Sequence, residues 1–166
     1  MHNLCKIAIG GSPNVGKAVI FGPLTDIYAT VSNYPGTTVE VTRGKAKIGE
    51  TEFEVIDTPG MYAFLSITEE EKVARTILMD ESPDIVLHVV DSKNLERMLP
   101  LTLQLLEADL PVILVLNIVD EAQSLGMKID LNVLEKELKI PVVATVGTTG
   151  KGMDILKGKI EAFVQS

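Results

Sequence analysis

Short apolar segments rich in β-branched residues recur along the chain, and longer stretches with a different spacing separate them. The apolar segments occupy residues 5–10, 52–57, 84–91, 111–117 and 141–146. Runs of this length and composition predict buried strands. The intervening stretches carry apolar residues at helical spacing, at 69–80, 95–110, 130–139 and 153–165. This alternation predicts an α/β domain in which crossover helices cover a mostly parallel sheet.

The segment at 39–57 has a different pattern. Its apolar and polar residues alternate on both sides of Ile48, Gly49 and Glu50. Period-two alternation around a glycine turn predicts a β-hairpin, and hence one antiparallel edge strand in an otherwise parallel sheet. A length of 166 residues with 46% hydrophobic composition suits one domain at 1–166 with a sizeable core.

Charge and cysteine content narrow the function classes. Fifteen basic and 23 acidic residues give a net charge of −8, which disfavours a general nucleic-acid-binding surface or an anionic-membrane patch. Cys5 is the sole cysteine, so the chain has no internal disulfide, as expected in a reducing compartment. The first ten residues lack the pattern of a secretory leader, and we expect a soluble, cytosolic chain.

The strongest local motif is GSPNVGK at 11–17, which directly follows the first predicted strand. Backbone N–H groups of such a loop and the helix after it can surround a β-phosphate, and Lys17 can reach the β and γ oxygens. The alternative is a glycine-rich turn without a ligand. We expect the nucleotide to contact Gly11, Ser12, Pro13, Asn14, Val15, Gly16, Lys17 and Ala18.

Two residues after the loop depart from the usual pattern. Position 18 normally carries a Ser or Thr hydroxyl that binds Mg²⁺, and Ala18 has no oxygen to offer. Gly22 and Pro23 fall inside the next helix, where proline removes a hydrogen bond. We therefore expect weakened metal binding and a first helix that is short, kinked or partly melted.

Two further segments suit a nucleotide switch. Asp57, in DTPG at the end of a strand, is a candidate Mg²⁺ ligand, and the Gly60 N–H could contact a γ-phosphate. Thr38 lies in a polar loop before the hairpin, where its hydroxyl could reach the metal. Both segments are also ordinary turns, and this second interpretation stays open. If the two segments form a nucleotide switch, the catalytic residues are Lys17, Thr38 and Gly60.

A third group of residues suits recognition of the base. Asn117 and Asp120 follow a very hydrophobic strand, and an aspartate there can accept hydrogen bonds from guanine N1–H and N2–H₂ that adenine does not supply. The alternative is that Asp120 caps a helix. The segment Thr145, Val146 and Gly147 could bring an N–H group to guanine O6. His88, inside an apolar strand, is assigned no role.

With these motifs in hand, the chain resembles the G domain of FeoB-type ferrous iron transport proteins over nearly its whole length. The segments that carry the resemblance are GSPNVGK at 11–17, NYPGTTVE at 33–40, DTPGMYAF at 57–64, TEEEKVAR at 68–75, DSKNLERMLPLTLQLLE at 91–107 and NIVDEA at 117–122. An N-x-x-D motif without lysine, together with NLER and EEKVAR, distinguishes this family from assembly GTPases.

The resemblance implies a Ras-like P-loop GTPase fold with six strands, one of them an antiparallel edge strand, and helices on both faces. It implies binding of GTP and GDP, slow hydrolysis, Mg²⁺ at Thr38 and Asp57, and K⁺ contacted by Asn14. It also implies a cytoplasmic domain of an inner-membrane protein. Family members continue into a helical domain and a membrane permease, which we expect to be missing before Ser166, so that iron transport itself would reside elsewhere.

Other functions remain as alternatives. Ala18 also suits a nucleotide-sensing module with little hydrolysis. A ribosome-assembly GTPase would need a basic RNA-binding face, which the net charge opposes. A P-loop kinase or ATPase would have no use for Asp120 as a guanine reader. The sequence leaves open whether iron contacts the domain and whether the domain associates with copies of itself.

Overall fold

A seven-stranded sheet forms the centre of the fold in the computed structural model, which describes residues 4–25, 29–65 and 67–165. The strands are β1 (Cys5–Gly10), β2 (Thr30–Asn33), β3 (Glu40–Ile48), β4 (Thr51–Asp57), β5 (Ile85–Asp91), β6 (Val112–Asn117) and β7 (Val142–Ala144). Their order across the sheet is β2-β3-β4-β1-β5-β6-β7. β1 therefore lies at the centre, paired in parallel with β4 and β5.

Helices cover both faces of this sheet. They are α1 (Lys17–Leu24), α2 (Glu69–Asp80), α3 (Leu95–Glu107), α4 (Val119–Ser124), α5 (Leu131–Leu138) and α6 (Met153–Gln165), and a 3-10 turn at Ser92–Asn94 precedes α3. Ile7 and Ile9 of β1 share one buried cluster with residues of α1 and α6. Ala8, on the opposite face of the same strand, shares another with residues of α2 and α3. Alternate residues of β1 thus serve two cores.

The predicted fold class is confirmed, with two corrections. The sheet has seven strands instead of six, because the short segment at β2 pairs with β3 (Thr30 opposite Arg43, Asn33 opposite Glu40). The antiparallel strand of the predicted hairpin is β3, but it lies inside the sheet, and β2 takes the edge. All four residues of β2 are exposed, so no apolar run marked them as a strand.

Several element boundaries follow the sequence pattern closely. The hairpin turn lies at Gly49 and Glu50, and Gly49 has the positive φ of 61° that two-residue hairpin turns require. α2 and α6 coincide with the predicted helices. α3 ends three residues earlier than predicted, because Asp109 adopts a left-handed φ of 59° that a helix cannot continue through.

The first helix is short, as predicted. α1 has eight residues, and its C-cap residue Thr25 has extended backbone dihedrals. Pro23 stands in the last turn, where it cannot donate the hydrogen bond that would reach Val19. Gly22 faces open space, so its lack of a side chain meets no packing requirement.

The carboxyl ends of the central strands meet at one edge of the sheet. Ile9 pairs with Asp57, Gly10 with His88, and Asp91 with Asn117. Loops that leave β1, β4, β5 and β6 therefore begin side by side, which is where open α/β sheets bind ligands.

Candidate nucleotide site

The loop between β1 and α1 is packed so closely that two of its glycines have no room for a side chain. Gly11 has a φ of 150°, and a Cβ there would collide with the carbonyl oxygen of Val89. Gly16 has a φ of 89°, and its Cβ would collide with Nδ2 of Asn117. Only glycine combines positive φ with such close approach. The glycine spacing of the motif is thus a requirement of the fold at this position.

Lys17, in the first turn of α1, extends to the end of β4. Its Nζ donates a hydrogen bond to the carbonyl oxygen of Thr58 at 2.6 Å and lies 3.8 Å from Oδ1 of Asp57. Burial lowers the pKa of Lys17, against the attraction of Asp57. Burial likewise raises the pKa of Asp57, against the attraction of Lys17. The structure thus brings two predicted site residues together as a largely buried ion pair.

Two side-chain oxygens at this edge of the sheet are buried without hydrogen-bond partners among the described residues. They are Oδ1 of Asp57 and the hydroxyl oxygen of Ser12. The 3.8 Å separation from Lys17 is too long for a hydrogen bond. Since nearly all buried polar atoms in proteins are paired, unpaired ones beside a glycine-rich loop indicate a place for a ligand or ion.

The segment after β4 lies directly against the phosphate loop. A Cβ on Gly60 would stand 2.7 Å from Cγ of Pro13, and the N–H of Met61 donates to the carbonyl oxygen of Gly11 at 2.9 Å. Gly60 is thus adjacent to the loop that it was predicted to act with. The N–H of Gly60 donates no hydrogen bond within the described ranges.

Glu71 fixes the rest of this segment, a role that the sequence reading missed. Its buried carboxylate accepts hydrogen bonds from the N–H groups of Tyr62, Ile67 and Thr68 at 3.1–3.4 Å, and it forms a capping box with Thr68 at the start of α2. Hydrogen bonding, first from the Thr68 backbone, lowers the pKa of Glu71. The spacing Thr68-x-x-Glu71 is the signal that could have identified it.

Asn117, at the end of β6, connects the phosphate loop to the loop after β7. Its Nδ2 donates to the carbonyl oxygen of Val15 at 3.0 Å. Its Oδ1 accepts from the hydroxyl of Thr145 and from the N–H of Gly147, both at 3.0 Å. Ser92 Oγ, unassigned from sequence, donates to the backbone carbonyl of Asn117 at 2.6 Å. With 1% of its surface exposed, Asn117 is a structural centre of the site.

The loop after β7 differs from the expectation that it presents an N–H group from residues 145–147. Thr145 N–H donates to Leu116, Val146 N–H donates to Lys151, and Gly147 N–H is taken by Asn117. All three donors are therefore used within the chain. Thr148 is the first residue of this loop whose N–H has no partner in the described part of the chain.

The remaining predicted site residues are not drawn into this network. Thr38 is exposed, and no hydrogen bond in the described ranges involves its hydroxyl, whereas Thr37 closes the loop by bonding to Tyr34 and Val39. Asn14 is exposed with a left-handed φ of 68°. Asp120 is exposed in the first turn of α4. Ala18 directs no oxygen to the site.

His88 is a buried histidine with a satisfied ring nitrogen, as its apolar strand predicted. Its Nδ1 is 2.8 Å from the hydroxyl oxygen of Thr102 on α3. Burial lowers the pKa of His88 to about 4, so the ring is neutral at physiological pH.

The described residues contain neither a membrane-spanning helix nor a cluster of metal ligands. No helix there is both long and apolar enough to cross a bilayer. No group of three or more His, Cys, Asp and Glu side chains in those ranges is arranged to hold a metal ion.

Comparison with known proteins identifies the family. The family model described as ferrous iron transport protein B matches residues 5–160. The Fe(2+) transport protein A/Fe(2+) transporter FeoB fusion protein of Porphyromonas gingivalis is 43% identical over 152 residues, which are 91% of this chain and 18% of that protein. The chain thus spans about a fifth of the length of this relative.

Solved structures agree with the sequence match. The cytosolic domain of the T. maritima FeoB iron transporter in a GDP form has a TM-score of 0.94 and 41% identity, covering 99% of this chain and 65% of that chain. The same domain in its GMPPNP form has a TM-score of 0.93 and 42% identity, covering 98% and 65%. The chain belongs to the ferrous iron transport protein B family, and its fold is that of the family's G domain.

Proposed function

We propose that the chain binds guanine nucleotides at the carboxyl edge of its sheet and hydrolyses GTP slowly. In a full-length protein, this cycle would regulate transport of ferrous iron across a membrane, through a helical domain and a permease. The nucleotide forms of the T. maritima relative support guanine-nucleotide binding. The observation that carries the proposal is the position of Asn117, whose amide joins Val15 to Gly147 and so holds the phosphate and base segments in one fixed relation.

The phosphate end supplies charge and backbone donors. Lys17 would leave the Thr58 carbonyl for the β and γ oxygens of the nucleotide, where its ammonium offsets the charge that develops during phosphoryl transfer. The unpaired Ser12 hydroxyl gives the same loop a further donor. The Gly60 N–H, next to Pro13, would detect a γ-phosphate.

The residues fit a divalent cation in part. The buried, unpaired Oδ1 of Asp57 is the kind of oxygen that Mg²⁺ binds, directly or through water. Thr38 would add a hydroxyl, whereas Ala18 contributes nothing. Mg²⁺ supplies charge neutralisation at the β and γ oxygens when it is bound. Asn14 is our candidate contact for K⁺.

The base end would read guanine through two groups. Asp120 is exposed at the start of α4, and its carboxylate can accept from guanine N1–H and N2–H₂. We assign the donor to guanine O6 to the N–H of Thr148, because the three preceding N–H groups are already bonded within the chain.

A second candidate function is a nucleotide sensor that binds GDP or GTP and scarcely hydrolyses. Ala18 favours it, because a missing metal ligand removes part of the charge stabilisation on which phosphoryl transfer depends.

The first test is a calorimetric titration of the chain with GDP, GMPPNP and ATP in potassium buffer, with and without Mg²⁺. We expect guanine nucleotides to bind and ATP to show no binding at the same concentration. Absence of guanine-nucleotide binding would overturn both candidate functions.

Ala18→Ser separates the two functions. The added hydroxyl restores a metal ligand, and if the sensor function holds we expect GTP turnover to rise by at least about tenfold, or about 1.4 kcal/mol in the barrier. Phosphate release under single-turnover conditions measures this. Unchanged turnover in a variant that binds GTP normally would favour the slow-GTPase function, and Val19→Ser serves as a matched control.

Asp120→Asn tests the base assignment. An amide in place of the carboxylate can donate as well as accept, so preference should move from guanine to xanthine nucleotides. Competition between GDP and XDP measures the ratio. Unchanged preference for GDP would assign guanine recognition to other groups.

A further inference from the structure

A second cleft lies beside the phosphate loop, separate from the lysine and aspartate of the nucleotide site. It has a volume of about 150 Å³ and lies between the phosphate loop, the segment that follows Gly60, the middle of β5 and helix α3. The residues that line it are Ser12, Pro13, Met61, Tyr62, His88, Asn94, Arg97, Met98 and Leu101.

The burial of these residues separates a floor from a rim. Met61, His88 and Leu101 are each at least 96% buried, and Ser12 is 93% buried, so these side chains form the floor. Tyr62, which is 72% exposed, stands at the rim. The walls are mostly apolar, since Pro13, Met61, Met98 and Leu101 supply them.

Two polar groups at the floor have unused hydrogen-bonding capacity. The Ser12 hydroxyl has no partner within the described residues. The His88 ring bonds to Thr102 through Nδ1, and its Nε2 has no partner in the same part of the chain. Because that ring is neutral, Nε2 can donate or accept according to its tautomer. A buried, unpaired hydroxyl in the same cleft as an imidazole nitrogen with unused capacity indicates a ligand with a small polar group at its inner end.

Arg97 adds a charge at the opening. It is exposed, it lines this cleft and also a larger one beside α5, and it forms no ion pair with any carboxylate in the described ranges. The ion pairs of nearby Lys93 go to Asp91 and Glu121 instead. A guanidinium without a partner at the mouth of an apolar cleft suits a ligand carboxylate, which it can bind through two N–H groups.

Size limits the ligand to a single ring. An apolar protein cavity of about 150 Å³ holds one benzene molecule. The distribution of groups then specifies the rest: an acid at the rim, an apolar ring in the middle and a hydrogen-bonding substituent at the floor.

We propose that this cleft is a binding site for a monocyclic aromatic acid that carries a hydrogen-bonding group opposite its carboxylate. The ring packs between Met61, Met98 and Leu101. The carboxylate pairs with Arg97, and the opposite group bonds to Ser12 and His88. The site goes beyond the nucleotide function and requires no bound nucleotide, although it shares the Ser12 hydroxyl with the phosphate loop, so the acid and a nucleotide would compete for that group.

The methionines provide a direct test. Met61 and Met98 line the cleft, whereas Met79 and Met153 lie outside it. We would titrate the nucleotide-free chain, labelled with ¹³C at the methionine methyls, with 4-hydroxybenzoate. The expected result is a saturable shift of the Met61 and Met98 methyls at millimolar ligand, with Met79 and Met153 unmoved. The signal that disappears in Met98→Leu is the methyl resonance of Met98.

Ligand and protein variants test each end of the site. Benzoate lacks the inner hydroxyl and should bind about tenfold more weakly, since a buried polar pair stays unmatched. Arg97→Ala removes an exposed charge and should weaken 4-hydroxybenzoate about fivefold, whereas Lys136→Ala, an exposed cation on α5, should leave the affinity unchanged.

Three results would overturn the proposal. One is the absence of methyl shifts at ligand concentrations up to the solubility limit of 4-hydroxybenzoate. Another is a shift centred on Met127, which lines a different cleft beside α5. The third is equal affinity in Arg97→Ala and Lys136→Ala. Because all arms use nucleotide-free protein, they are independent of whether GTP binds or is hydrolysed.

Discussion

The base end and the phosphate end of the candidate nucleotide site are built differently. At the base end, the side chain of Asn117 bonds to Val15, Thr145 and Gly147, all inside the chain. At the phosphate end, Ser12 Oγ and Asp57 Oδ1 are buried without partners among the described residues. The buried groups that the Asn117 side chain connects are thus paired without a ligand, while the phosphate end carries a desolvation cost that a nucleotide and cation would offset.

The largest expected loss of stability comes from a substitution at the base end. Asn117→Ala removes three hydrogen bonds and leaves the Val15 carbonyl, the Thr145 hydroxyl and the Gly147 N–H unpaired. We expect the free energy of unfolding in urea to fall by about 3 kcal/mol. Guanine-nucleotide affinity should fall with it, because the two loops lose their connection.

Asn94→Ala is the matched control for this change. Asn94 is partly buried and makes a single long contact of 3.4 Å with Asp91. Its loss should cost less than about 1 kcal/mol. Equal losses for the two variants would contradict the role of Asn117 as a structural centre.

His88, beneath the phosphate loop, makes the stability of the phosphate end depend on pH. Its pKa of about 4 in the fold lies below its usual value of 6.5, so the unfolded chain gains a proton first as pH falls. Stability is therefore full above pH 6.5 and declines as pH drops towards 4. Between pH 6.5 and 5 we expect a loss of about 1.6 kcal/mol.

Urea unfolding at several pH values measures this slope. Hydrogen bonding lowers the pKa of Glu71 and Glu135 and keeps both out of this window, whereas burial raises the pKa of Asp57, whose protonation in the fold would oppose the loss from His88. His88→Gln should flatten the profile and His2→Gln should leave it unchanged. A steep profile that persists in His88→Gln would assign the effect to other groups.

The smallest effect compares one hydroxyl at each end. Thr145→Val removes a buried donor that Asn117 uses, and should cost about 1 kcal/mol in unfolding free energy. Ser12→Ala removes a buried hydroxyl that has no partner, and should be neutral within about 0.5 kcal/mol or stabilising. Equal losses of unfolding free energy in both variants would show that buried polar groups are equally well hydrogen-bonded at the two ends.

Much of the fold was predictable because buried positions recur along the sequence as apolar residues at strand or helix spacing. β1 and α2 match their predicted bounds because an apolar run marks the strand and helical spacing of apolar residues marks the helix. β2 was missed, since none of its four residues is buried. The early end of α3 depends on one left-handed residue, Asp109, and no pattern in the sequence predicts that conformation.

The site was predictable where chemistry depends on residue type and less so where it depends on geometry. The motif residues Lys17 and Asp57 were identified, and the structure brings them within 3.8 Å. Which N–H groups of the last loop are free depends on the side chain of Asn117, a contact between residues 30 positions apart. Hydrogen-bond competition of that kind has no local signature in sequence.

The central place of β1 has a consequence for how the chain acquires its structure. Cys5 pairs with Phe53 and Ile7 with Ile85, so the first strand finds both neighbours far along the chain. Contacts of such long sequence separation form slowly, because loop closure costs entropy before pairing offsets it. During synthesis from the N-terminus, the strand that carries the glycine-rich loop must wait until β5 has emerged before its second neighbour exists. The earliest motif in the sequence should therefore be among the last to become ordered.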